Sequence, residues 1–191
     1  METPDVKKLF TDYEALLNGH FLLSSGLHSD TYFQSALILQ HPEVASKLAA
    51  ALATKIKEAG IKIGLVVSPA MGGIVIGHEM GRALGTRAVF CERVDGQLVL
   101  RRGFSIKDGE KVLVVEDVIT TGKSTNEVIN AIKPLGADVK AVCSLVDRSA
   151  GKAGFSVPQF SLLSLEVKSY DPSGCPLCKT GTEAVKPGSR K

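Results

Sequence analysis

The sequence predicts an α/β fold, with a mostly parallel central sheet flanked by helices and a small N-terminal cap, and three observations predict it. Short β-rich apolar runs alternate with stretches of helical periodicity. Several of these runs are apolar at successive positions, as strands covered on both faces are. Glycines stand at the junctions, where a helix must stop before the next strand begins.

Residues 1–40 do not fit the alternation and are expected to form a separate cap or hood, 41–170 the core, and 171–191 a tail. Pro42 sits where a first helical turn tolerates it; Val44, Leu48, Leu52 and Ile56 then share one face, and Gly60 ends the helix. Ile63 to Val67 reads as a strand buried on both faces, followed by a helix from Gly73 to Leu84 that Gly85 closes. Ala88 to Cys91 is a second strand, and Asp95-Gly96 is a strong two-residue hairpin turn. Lys111 to Val115 reads as the next buried strand, Lys123 to Leu135 as a helix capped by Gly136, and Val139 to Val146 and Phe160 to Val167 as further strands. Strands separated by helices of this length imply βαβ units, whose ligands bind at the carboxyl ends of the strands.

With 191 residues, 44% of them hydrophobic and 23% charged, the chain suits one compact domain that needs no disulfide or metal staple. Met1 to Tyr13 carries Glu2, Asp5, Lys7, Lys8 and Asp12, unlike a signal peptide, and no apolar run approaches the roughly 20 residues of a membrane span. A soluble, cytoplasmic protein is expected. The net charge of +3 comes from the stretch beginning at Cys175, where Lys179, Lys186, Arg190 and Lys191 face Glu183 alone, and the rest of the chain is balanced. That balance, with no Trp and three Tyr, argues against nucleic acid as a partner and makes the tail a solvated basic terminus. Cys91 and Cys143 lie in apolar segments as small hydrophobes. Cys175 and Cys178 form half of a zinc site at best, since no second pair has suitable spacing, so no metal ligand is assigned. Zinc shared between two chains and a turn of reduced thiols are the two readings of that pair.

The stretch from Val112 to Thr125 carries the chemistry. A buried strand runs into the carboxylates Glu116 and Asp117, then through Val118 and Ile119 into the turn Thr120-Thr121-Gly122-Lys123-Ser124, which opens a helix. Free N–H groups at a helix start, the helix dipole and neighbouring hydroxyls suit a phosphate. A Walker loop ending at Gly122-Lys123-Ser124 would need glycine where Asp117 stands, and Gly72, Gly73, Gly77 and Gly81 do not give the dinucleotide-binding spacing. Paired carboxylates that accept hydroxyl hydrogen bonds, just before a phosphate turn, match a ribose 5-phosphate. The bland alternative is a capped helix after an acidic strand end.

Val114 to Thr125 resembles the phosphoribosyl-pyrophosphate signature of the type I phosphoribosyltransferases, and the chain as a whole resembles their orotate family from Gly19 to about Ser149. The resemblance implies the type I phosphoribosyltransferase fold, Mg²⁺ as cofactor and transfer of ribose 5-phosphate to orotate, with orotate and phosphoribosyl pyrophosphate as partners. Glu116 and Asp117 would hold the ribose hydroxyls, Thr120 to Ser124 the 5-phosphate, and Val118 and Ile119 would touch the ligand through backbone. Val67 to Gly73 resembles the pyrophosphate loop, with Ala70, Met71 and Gly72 at the leaving group. Glu92 to Gly103 resembles a mobile lid that closes over a neighbouring subunit's site in a homodimer; Arg93 and Arg102 are its expected catalytic cations, although Val94 stands where many members carry Lys. Gly19 to Phe33 resembles the hood, implying Tyr32 and Phe33 stacked on the base and His28 as a cation beside it. Arg148 matches the arginine that pairs with the orotate carboxylate, and Thr120 would also touch orotate. No nucleophile is assigned, since Ser24, Ser25 and the cysteines lack a base partner. The rivals are a purine or uracil phosphoribosyltransferase and a non-catalytic regulator on the same scaffold.

Overall fold

The computed structural model describes residues 5–23 and 25–187; Glu2, Ser24, Arg190 and Lys191 lie outside them. The chain opens with helix α1 (Val6–Asp12), whose N-cap Asp5 accepts from the Lys8 N–H at 2.9 Å. Strands β1 (Leu16–Leu22) and β2 (His28–Phe33) pair antiparallel as a two-stranded sheet of their own, with a bulge between Asn18 and Phe21. Helix α2 (Ser35–Leu39) leads into α3 (Pro42–Glu58), which has Pro at its first turn, Glu43 near its N-terminus and Lys55 and Lys57 in its last turn, as the helix dipole favours.

The main sheet contains β3 (Leu65–Pro69), β4 (Arg87–Val94), β5 (Gln97–Leu100), β6 (Glu110–Ile119), β7 (Ala137–Asp147) and β8 (Gln159–Ser164), in the order β5-β4-β3-β6-β7-β8. All its pairings are parallel except the β4–β5 hairpin, which turns at Asp95-Gly96 as expected. Helix α4 (Gly73–Leu84) joins β3 to β4 and ends at Gly85, whose φ of 68° is left-handed. Helix α5 (Lys123–Ile132) and a 3₁₀ turn at Lys133–Leu135 join β6 to β7.

Alternation along the strands supplies two cores. Val66, Leu113, Val115, Ala141 and Cys143 face α3, while Leu65, Val67, Val112, Val114 and Val142 pack with α5 and the β4–β5 side. Leu48, Leu52 and Ile56 of α3 are fully buried, each worth about 1.5–3 kcal/mol relative to exposure.

Two strands differ from expectation in ways that shape the site. The first runs Leu65–Pro69 rather than from Ile63, with Gly64 N–H donating to Lys111 O at 2.8 Å just ahead of the ladder that begins at Leu65–Val112. The acidic pair lies inside β6 rather than after it, because the ladder to β7 continues through Val118–Val146 and Ile119–Asp147. The ladder from β6 to β3, however, stops at Val67–Val114. Beyond Val114 β6 has a neighbour on one side only, and a crevice opens on the other.

The tail packs against the hood. Phe21 bridges to Val185 and His28 to Tyr170, and a short helix α6 (Pro176–Lys179) begins at Cys175, which is 1% exposed. Its fall at the chain terminus and its basic composition concealed this packing. Among the described residues, no helix is long and apolar enough to cross a membrane.

Candidate active site

From β3 the chain moves outward to β4 and β5, then crosses back to place β6 on the other side of β3. Such a reversal leaves a crevice at the carboxyl ends of the two central strands. A cleft of about 580 Å³ opens there, with a second of about 150 Å³ beside it over the 119–125 turn. Ala70, Met71 and Gly72 line one wall, and Glu116, Asp117, Val118, Thr120, Lys123 and Ser124 form the floor. Ile119, Thr121 and Gly122 line the smaller recess.

Glu116 is buried, and its carboxyl titrates well above the ordinary range because burial penalises the charge and Asp117 lies alongside. Asp117 closes against the loop after β3. A Cβ added to Gly72 would stand 2.8 Å from Asp117 Oδ1, so glycine is what lets the loop after β3 approach the acidic pair. The Ala70–Met71 peptide in this loop is cis. On the far side, Gly122 adopts φ 75° as the N-cap of α5, and a Cβ there would meet the Phe155 ring at 2.9 Å. Only glycine satisfies both the left-handed backbone and that contact. The turn so formed aims the free N–H groups and positive end of α5 at the recess.

Arg148 follows β7 and is 7% exposed. Its backbone N–H donates to Ile119 O at 2.8 Å, which joins it to the end of β6, and its Nη2 donates to Ser29 Oγ at 3.1 Å. Its Nε has no hydrogen-bond partner among the described residues. Burial holds the guanidinium below its usual pKa, while Tyr32 and Asp30 act in the opposite sense. Asp147 does not pair with it. That carboxylate accepts from Ser149 N and Oγ and Gly151 N, at 2.6–2.8 Å, and more distantly from Ser164 Oγ. Burial works against its charge, but these donors outweigh it and hold Asp147 below the usual carboxylate range. Arg148 therefore reaches the cleft as a buried cation, with Tyr32 and Phe33 of the hood on the same cavity.

A phosphoribosyl transferase domain model matches residues 34–156. The chain is 54% identical over 187 residues to the orotate phosphoribosyltransferase of Carboxydothermus hydrogenoformans, covering 98% of each chain. The chain belongs to the orotate phosphoribosyltransferase family. A crystal structure of orotate phosphoribosyltransferase from Aeropyrum pernix matches with a TM-score of 0.66 at 26% identity, over 83% of this chain and 93% of that one. The fold alone does not select the base, since an adenine phosphoribosyltransferase from Thermoanaerobacter pseudethanolicus matches at a TM-score of 0.62 and 16% identity, over 71% and 88% of the two chains.

Within this orotate phosphoribosyltransferase fold, Arg93 and Arg102 separate. Arg93 lines the cleft and pairs with Glu127 of α5. Arg102 does not line it; its guanidinium pairs with Glu92 at 2.8 Å and lies 5.7 Å over the Phe90 ring. Its position on the return limb, after β5, turns it away from the chain's own site.

The expectation for His28 needs correction. It does not line the cleft: successive strand residues face opposite ways, Ser29 takes the face toward Arg148, and His28 is buried toward the tail with Nδ1 2.8 Å from His20 Nε2. Cys175 and Cys178 join that pair, so the potential ligand atoms of the four residues lie within 4.8 Å of one another. A search for a second Cys pair could not find this arrangement, because its other half is two histidines on a hairpin. Lys186 of the tail lines the cleft and was also missed. Its only signal was positive charge in a segment taken as solvated.

Proposed function

We propose that this protein transfers the ribose 5-phosphate of phosphoribosyl pyrophosphate to orotate, giving orotidine 5'-monophosphate and pyrophosphate in pyrimidine nucleotide synthesis. The observation that carries the choice of base is Arg148, a buried guanidinium at the end of β7 with Nε unpartnered and no ion pair among the described residues. A planar carboxylate on the substrate suits such a group, and a bidentate pair fixes orientation as well as charge. Purine bases and uracil offer no carboxylate.

The chain's residues divide the substrate between them. Thr120 to Ser124 and the N-terminus of α5 receive the 5-phosphate, with Val118 and Ile119 contributing backbone. Glu116 and Asp117 take the ribose hydroxyls. Ala70, Met71 and Gly72 receive the pyrophosphate, whose charge Arg93 offsets as the bond to C1 breaks. Tyr32 and Phe33 cover the pyrimidine, Thr120 adds a polar contact, and orotate N1 attacks C1 from the face opposite the leaving group. The protein contributes positioning and electrostatics, with no covalent step of its own.

Glu116 and Asp117 form an all-oxygen donor pair without an ion-pair partner among the described residues, which fits a hard divalent cation. They would hold Mg²⁺ mainly through the substrate's own hydroxyls. The ion supplies neutralisation of the pyrophosphate. A cytoplasmic homodimer, in which the outer limb of the β4–β5 hairpin with Arg102 serves the neighbouring chain, completes the proposal.

The test is consumption of orotate by purified protein with phosphoribosyl pyrophosphate and Mg²⁺, with hypoxanthine, guanine, xanthine, adenine and uracil in parallel. Magnesium-dependent conversion of orotate alone is expected. Conversion of another base instead would sink the roles given to Arg148 and the hood.

A further inference from the structure

We propose that His20, His28, Cys175 and Cys178 form a four-ligand zinc site that fastens the tail to the hood. Cys175 Sγ lies 3.6 Å from His20 Nε2, Cys178 Sγ lies 3.8 Å from the same nitrogen, and Cys178 Sγ lies 3.4 Å from His28 Nδ1. With zinc at about 2.3 Å from sulfur and about 2.0–2.1 Å from nitrogen, a tetrahedron has N···S edges of about 3.6 Å. The three measured separations bracket that value. The two nitrogens, 2.8 Å apart, stand closer than the tetrahedral edge of about 3.3 Å that the same bond lengths give, so binding spreads them slightly.

The surroundings prepare the ligands. His20 Nδ1 lies 2.8 Å from the carbonyl oxygen of Thr182 and must donate to it. The proton is thereby held on Nδ1, and the lone pair of Nε2 points into the cluster, as an outer-shell carbonyl does for metal-bound histidine. Cys175 and Cys178 flank the start of α6 in a Cys-x-x-Cys turn. His20, His28 and Cys175 are buried, and only Cys178 is exposed.

Two thiolates and two imidazoles select zinc over magnesium or calcium, and four protein ligands leave no open position, so the site is structural. Binding exchanges the two thiol protons for Zn²⁺, releases them to solvent and gives a centre of zero net charge. The three sulfur–nitrogen contacts join positions 150 to 158 apart, with the main sheet between them in sequence. The bound metal would fix Tyr32 and Phe33 on one side and Lys186 on the other. This site is independent of the reaction assigned above.

The test uses full-length protein stripped by chelator under reducing conditions and titrated with Co²⁺, then Zn²⁺, with Mg²⁺ in excess. We expect one Co²⁺ per chain with the intense visible bands of a tetrahedral centre and a sulfur-to-cobalt charge-transfer band. One equivalent of Zn²⁺ should displace it, release of two protons should accompany binding to the apo-protein, and zinc should raise the melting temperature. Cys178→Ser should lose the charge-transfer intensity and the stabilisation, while Cys91→Ala retains both. A weak octahedral cobalt spectrum, no binding, or an unchanged titration in Cys178→Ser overturns the proposal. So does a Cys175–Cys178 disulfide that persists in the reduced sample, and these readings need no active enzyme.

Discussion

The two ends of the cleft are built on different plans. At the end assigned above to the sugar phosphate, nine consecutive residues from Glu116 to Ser124 leave the middle of the sheet, and the backbone of β6 and α5 places them. At the end assigned above to the base, Tyr32 and Phe33 come from a separate hairpin and Arg148 follows β7, while Lys186 of the tail lines the same cleft. The first end is positioned by local covalent continuity, so its geometry depends on small backbone allowances such as Gly72 and Gly122. The second is positioned by packing between distant segments, and its key group is a single buried cation.

The sharpest way to test that contrast is Arg148→Ala. Removing one partner of a buried charge pair costs about 2–5 kcal/mol, so kcat/KM for orotate should fall by roughly 30- to several thousand-fold. Binding of phosphoribosyl pyrophosphate, measured by calorimetry, should be retained; equal loss of both would merge the two ends into one. Gly72→Ala should do the reverse. Its Cβ must displace the Asp117 carboxylate, and a shift of about 1 Å at a reacting site can cost on the order of 100-fold. Weaker sugar-diphosphate binding with an intact orotate site is expected in steady-state kinetics.

Gly122→Ala adds strain from the left-handed backbone of about 1–2 kcal/mol, together with the Phe155 contact. Urea unfolding should show at least that loss; an unchanged midpoint would remove the argument for this turn. Lys186→Ala is smaller, because an exposed cation contributes up to about 1 kcal/mol. A rise in KM of no more than about fivefold, with kcat kept, is the expected result.

Glu116 gives a pH signature rather than a loss. Its folded pKa is raised, so the folded chain binds more protons than the unfolded one between the ordinary glutamate range and that raised value. Stability of the ligand-free protein should therefore fall as pH rises through this window and level off above it. Melting curves across pH should show Glu116→Gln flattened and more stable at neutral pH. Parallel curves would exclude the assignment.

The same contrast explains what could be read from the sequence. The face of α3 through Val44, Leu48, Leu52 and Ile56, the Gly85 stop and the Asp95-Gly96 turn are local signals, and all appear in the structure. The acidic pair and the turn after it are contiguous, and their place on the cleft was legible. The length of β6 was not, because its last residues are held by β7, some thirty positions away. His28 was placed beside the base because nothing near it in sequence reveals that Cys175 and Cys178 lie next to it. Lys186 was misjudged for the same reason, since a charge in a loop carries no record of which side of a cleft it faces.

The hood's two strands share no ladder with the six-stranded sheet. A sheet transmits change along its hydrogen bonds, so an insertion or a new turn between β1 and β2 leaves the register of β3, β6 and β7 as it was. Base preference and sugar-phosphate chemistry can therefore be altered on separate schedules. Libraries that vary Tyr32 and Phe33 while leaving His20, His28 and 112–125 untouched would explore new pyrimidine-like acceptors without rebuilding the reaction centre.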